Sequence, residues 1–93
     1  MTNKKKVVVT GLGLATPLGL DVETNWQKAV SGESGISSLS YPDSEKSPVQ
    51  AVGEIKEKDW KKMRVAFQDI ISEEDEKRTL FALWAAKSAL NDA

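Results

Sequence analysis

Val7-Val8-Val9-Thr10 has no polar face, and the chain turns sharply directly after it. All four residues are β-branched and favour an extended backbone. Because polar and apolar residues do not alternate, the run predicts a short strand covered on both sides, as in a parallel or central sheet position. Gly11 and Gly13 then allow a tight turn under close packing, Pro17 fixes a bend and keeps Thr16 out of a helix, and Gly19 frees the chain before Asp21. The order is strand, glycine turn, loop, helix, an α/β pattern. A strand of this kind commits other residues to covering both of its faces.

Ninety-three residues make one domain at most, with no internal boundary expected between residues 1 and 93. A chain of this size buries only roughly 60–65% of the surface it exposes unfolded. The chain is 40% hydrophobic and 29% charged, which places it with globular proteins and away from disordered ones. Its net charge of −1 offers no overall field for nucleic acid or an anionic membrane. Lys4-Lys5-Lys6 before an apolar run imitates a signal peptide, but Thr10, Gly11, Gly13 and Pro17 interrupt the run. No stretch approaches the ~20 apolar residues of a membrane span, so a cytoplasmic location is expected.

The chain has no cysteine and no histidine. Disulfides, thiolate nucleophiles, imidazole acid–base chemistry and the common zinc ligand sets are thereby excluded from it.

Asp21 is placed to cap a helix whose apolar residues Val22, Trp26, Ala29 and Val30 share one face, and Gly32 closes it. Ile36 and Leu39 are isolated anchors in a polar segment; residues 40–47 read as loop, with turn chemistry at Tyr41-Pro42-Asp43. Val49–Ile55 alternates weakly, as a short edge strand would. From Glu57 to Ile71 the spacing of Trp60, Met63, Phe67, Ile70 and Ile71 predicts an amphipathic helix broken near Gln68-Asp69, with Lys58, Lys61, Lys62 and Arg64 mostly opposite. Those cations suit a solvated face better than an RNA or phosphate contact. Ser72 with Glu73, Glu74 and Asp75 reads as a helix start. Leu80–Ala86 is apolar in every direction around the axis, the signature of a buried helix.

Few of these residues carry chemistry. Gly11-Leu12-Gly13 begins like a dinucleotide fingerprint, but Thr16 stands where the third glycine belongs and Pro17 follows. No P-loop sequence occurs. Glu73, Glu74, Asp75 and Glu76 are consecutive on a helical stretch and point in four directions, so they cannot converge on one cation. Ser31, Ser34, Ser37, Ser38 and Ser40 lack a partnering base at serine–lysine spacing and read as loop chemistry. No catalytic, cofactor-binding or metal-binding residue is assigned.

The ordered set Val8-Val9-Thr10-Gly11-Leu12-Gly13, Pro17-Leu18-Gly19, Trp26, Gly32, Ser34-Gly35-Ile36, Gly53-Glu54-Ile55, Ala85-Ala86, Ala89-Leu90 and Asp92-Ala93 resembles the N-terminus of β-ketoacyl-acyl-carrier-protein synthases. Residues 5–39 and 79–93 carry the resemblance. It implies the N-terminal part of a thiolase-like fold of two similar α/β halves, incomplete on its own: a buried strand, a glycine turn and covering helices. It further implies a parent acyltransferase, a 3-oxoacyl-ACP synthase of fatty-acid or polyketide synthesis. Such an enzyme condenses an acyl thioester held on a cysteine with malonyl-ACP, assisted by two histidines. Its partners would be the rest of the ketosynthase fold, acyl carrier protein and a second copy of the parent. None of the three catalytic residues has a counterpart in this chain, which by itself is expected not to catalyse the reaction and to be an excised piece or one chain of a divided protein. The alternative is a stand-alone, non-catalytic ketosynthase-like partner that buries its apolar surface by association.

Overall fold

The computed structural model describes residues 4–40, 43–72 and 77–93. In chain order the elements are α1 (Val22–Val30), β1 (Ile36–Ser38), β2 (Ala51–Gly53), α2 (Glu57–Ala66) and α3 (Lys77–Asp92), with one 3₁₀ turn at Ser44–Lys46. The sheet formed by the described residues is an antiparallel pair, with Ile36 opposite Gly53, Ser37 opposite Val52 and Ser38 opposite Ala51. The Leu39 amide extends the ladder by donating to the Gln50 carbonyl at 2.8 Å.

α1 starts and stops where its local chemistry dictates. The Asp21 carboxylate accepts the Thr24 amide at 2.7 Å and the Thr24 hydroxyl at 2.9 Å, which satisfies one orphan donor of the first turn. At the other end Gly32 takes φ of 82°, a left-handed conformation that a side chain would oppose, and its amide bonds the Ala29 carbonyl. The helix matches the expected one, but its surroundings do not. Val22 is more than one-third exposed, Trp26 and Val30 are each 68% exposed, and Ala29 also lies open. The face that packs inward is instead the half-buried Thr24, Asn25 and Lys28 side.

α2 ends at Ala66, two residues before the expected break, and residues 67–70 turn. Trp60, Met63 and Phe67 enter the core as their spacing requires; Ile70 falls after the turn and is 72% exposed. With Leu20 and Leu80 these three make up the buried core, and Ala15, Ile55, Ile71, Phe81, Leu83 and Trp84 pack around it. Trp60 and Phe81 rings stack at 4.8 Å between centroids, tying α2 to α3. α3 buries Leu80 and half-buries Phe81, Leu83, Trp84 and Ala85, but Ala82, Ala86 and Leu90 are exposed. A helix apolar all round is therefore covered along one face here, because α2 and the residues after Gly11 supply only that much surface. The expected start of α3 at Glu73–Asp75 and the turn at Tyr41-Pro42 fall outside the described residues.

The largest departure is at Val7–Thr10. These residues run extended but pair with no strand among the described residues, and Val7, Val8 and Val9 are 93%, 72% and 78% exposed. The expected burial is thus not realised within this chain. The physical reason is simple: the one hairpin available, β1–β2, has three-residue strands and packs on Pro17, leaving no sheet edge beside the valines. Global measures agree. The radius of gyration is 16.9 Å, against about 12 Å for a compact domain of this length. The exposed area is 7479 Å², against roughly 5,300 Å² for a folded monomer of this mass.

The cap makes α1 sensitive to acid. Hydrogen bonds from Thr24 hold the Asp21 carboxyl below its ordinary pKa. A depressed folded-state pKa stabilises in full above the unfolded value near ~3.9, and that stabilisation is lost as pH falls through the folded value. Helicity followed by circular dichroism should fall along that window. D21N should retain the helix with less pH dependence, because Asn caps nearly as well as Asp. D21A should lose about 1 kcal/mol of helix stability. A D21N profile identical to that of the native chain would contradict the assignment.

Candidate functional site

Gly11 and Gly13 rest against the backbone of α3. A Cβ on Gly13 would lie 2.6 Å from the Ala89 amide nitrogen and closer still to the Ala85 carbonyl; one on Gly11 would lie 2.7 Å from the Ala93 nitrogen and closer to the Ala89 carbonyl. Ala85, Ala89 and Ala93 recur at four-residue steps, so they form one small-residue row along the helix. Two glycines on one side and three alanines on the other let two backbones meet. The contact is pinned at its end by the Leu12 amide, which donates to Asp92 Oδ2 at 2.9 Å.

Beyond the seam the chain doubles back at Thr16–Gly19, whose backbones exchange hydrogen bonds of 3.0 and 3.1 Å. Asn25 ties this turn to α1. Its Nδ2 donates to the Gly19 carbonyl at 3.1 Å and the Asp21 carbonyl at 2.8 Å, while the Thr16 hydroxyl donates to its Oδ1. The Thr16 oxygen also accepts the Leu18 amide at 3.1 Å. Trp84 on α3 donates its indole N–H to the Leu20 carbonyl at 2.9 Å. Pro17, at the apex, seats the hairpin: a Cβ on Gly35 would come within 2.8 Å of its ring, and one on Gly53 within 3.3 Å.

The polar side chains here act as anchors. Asp21 and Asp92 hold backbone amides, and Glu54 accepts the Ser40 hydroxyl at 2.7 Å, the main cause of its lowered pKa. Carboxyls held ionised in this way suit accepting hydrogen bonds, not donating protons. Ser31 bonds the Lys28 carbonyl, Ser34 accepts the Ile36 amide, and Ser37 and Ser38 form β1, as loop and hairpin residues do. Among the described residues no cluster of three or more carboxylates could hold a metal ion; Glu73–Glu76 lie outside them. The Gly11–Gly13 turn has no room for a pyrophosphate, because α3 fills it and no helix opens there. Trp60 is buried under Phe81 with Lys77 Nζ 4.8 Å from its ring, so the basic side of α2 has no exposed aromatic on which a base could stack.

Sequence reasoning did not single out Asn25 or Trp84, nor the pairing of the glycine turn with the alanine row. Two signals were present. Asn in a helix interior is unfavourable unless it serves backbone groups, and an i, i+4, i+8 alanine row predicts a close backbone approach.

Gly13→Ala should lift the turn from α3, because the clashing atoms are helix backbone. An overpacking cost of about 2 kcal/mol corresponds to a roughly thirtyfold faster hydrogen exchange at the Leu12 amide. Unchanged exchange would show that the seam does not hold the turn.

Residues 4–93 match the model of the beta-ketoacyl synthase N-terminal domain. The chain is 34% identical over 97 aligned residues to 3-oxoacyl-[acyl-carrier-protein] synthase 2 of Staphylococcus aureus strain COL, covering 100% of this chain and 22% of that protein. It is 43% identical over 94 residues to a Schizosaccharomyces pombe protein that carries the name of a mitochondrial 3-oxoacyl-[acyl-carrier-protein] synthase, covering 96% of this chain and 22% of that one. The chain thus spans about a fifth of the length of these relatives, within the 22% given by both alignments. No helix of the described residues is long and apolar enough to cross a membrane. With its glycine turn, its alanine helix and nearly its whole length inside the match, the chain belongs to the beta-ketoacyl synthase family, in the N-terminal domain of that family.

Proposed function

We propose that this chain serves as the N-terminal scaffold of a cytoplasmic ketosynthase with a thiolase-like fold. The whole protein would condense an acyl thioester with malonyl carried on acyl carrier protein, as a homodimer. Within it residues 1–93 act as a single structural unit that positions a sheet strand and contributes no nucleophile, acid or base. The observation that carries this reading is the pairing of a packed glycine–alanine seam with an exposed Val7–Val9 run directly before it. The seam aims an extended, β-branched segment outward, in a chain with no Cys or His to do the chemistry. Further protein would cover the valines and supply the thiolate and imidazoles. The stand-alone binding partner has no comparable support, since both relatives described above carry the names of synthases.

The test is complementation. The Staphylococcus aureus relative, deleted for the segment this chain matches, is co-expressed with the 93-residue chain, and 3-oxoacyl-ACP formation from malonyl-ACP is measured. Co-purification with regained condensation is the expected result, with either part alone inactive. A chain that stays apart from the deleted relative, with no condensation regained, would contradict the scaffold role.

A further inference from the structure

Four lysines converge on one cleft between α1 and α2. Lys28 from the last turn of α1, Lys56 just ahead of α2, and Lys58 and Lys62 on α2 line a cleft of ≈ 540 Å³, with Asp21 and Asp59 as the carboxylates on its border. Four positive against two negative charges leave +2 at this place, so a chain of net −1 carries −3 elsewhere. Asp21 is already engaged by Thr24. None of the four lysines forms an ion pair among the described residues, where the ion pair seen is Lys46 with Asp43 at 3.6 Å. Like charges gathered unpaired around a concavity raise the positive potential inside it.

We propose that this cleft docks an acidic peptide segment of a partner protein, with Lys28, Lys56, Lys58 and Lys62 as its carboxylate contacts. Lys58 and Lys62 stand one turn apart on α2, about 6 Å by helix geometry, which matches carboxylates one turn apart on a partner helix. A nucleic acid fits less well. Its charge continues past the cleft onto a surface of net −3, and the nearby Trp60 is unavailable for stacking. The placement of charge on this chain is independent of the ketosynthase assignment.

The experiment titrates the 93-residue chain with poly-L-glutamate of about twenty residues, a length that spans one docking segment, by calorimetry at two salt concentrations. Binding that weakens with salt should fall about tenfold in K28E/K58E and less in K28Q/K58Q. K5E/K6E, which changes net charge by the same amount at a distance, should bind as the native chain does. Circular dichroism checks folding, and K28Q/K58Q decides the matter if K28E/K58E is unfolded. Absence of binding, equal loss in K5E/K6E, or tighter binding of a single-stranded oligonucleotide through the same lysines would overturn the proposal.

Discussion

The contact of the Gly11–Gly13 turn with the backbone of α3 is the constraint on which the rest of the structure depends. It joins residues about eighty positions apart, as the Leu12–Asp92 hydrogen bond records with a separation of 80, and it works only because neither side carries more than a methyl group. Once the turn is seated, Leu20 reaches the core and its carbonyl meets the Trp84 indole. The Thr16–Gly19 turn then places Pro17 against the hairpin glycines, and Asn25 fastens α1 to the same turn. Three elements are thus oriented by one short loop, at the cost of tolerating no side chain at two positions.

The seam also fixes what is left uncovered. Val7–Val9 leave it extended and exposed, the Val22–Trp26–Val30 side of α1 faces outward, and α3 keeps Ala82, Ala86 and Leu90 open. Each of these is an apolar surface that the five-residue core between α2 and α3 cannot reach. In a complete layered fold such surfaces lie against neighbouring layers. The excess exposed area and the large radius of gyration are the same fact measured over the whole molecule.

Local chemistry was the most legible part of the sequence. The Asp21 cap, the Gly32 stop and the Trp60–Met63–Phe67 core face depend on neighbours within one or two helical turns, and each appears in place. The family resemblance was legible for a related reason: its glycines, alanines and Asp92 turn out to be two sides of one contact. β1 was missed because Ile36-Ser37-Ser38 has little strand character of its own and becomes a strand only through Ala51–Gly53. Ile70 was misplaced because the chain turns after Ala66, which takes it off the α2 face. Hydrophobic pattern reports what a segment can bury, not whether the cover is present, and Val7–Thr10, α1 and α3 all show that difference. Asn25 escaped notice because its role lies in backbone groups that no periodicity reveals.

The central claim is that these 93 residues hold one good internal contact and too little core to close around it. Urea unfolding of the chain, followed by fluorescence of its three tryptophans with the oligomeric state checked by sedimentation, tests that claim most directly. The account predicts a broad transition with a slope below about 1 kcal/mol/M, under the range of small two-state domains. A steep, single transition from a monomer would contradict it.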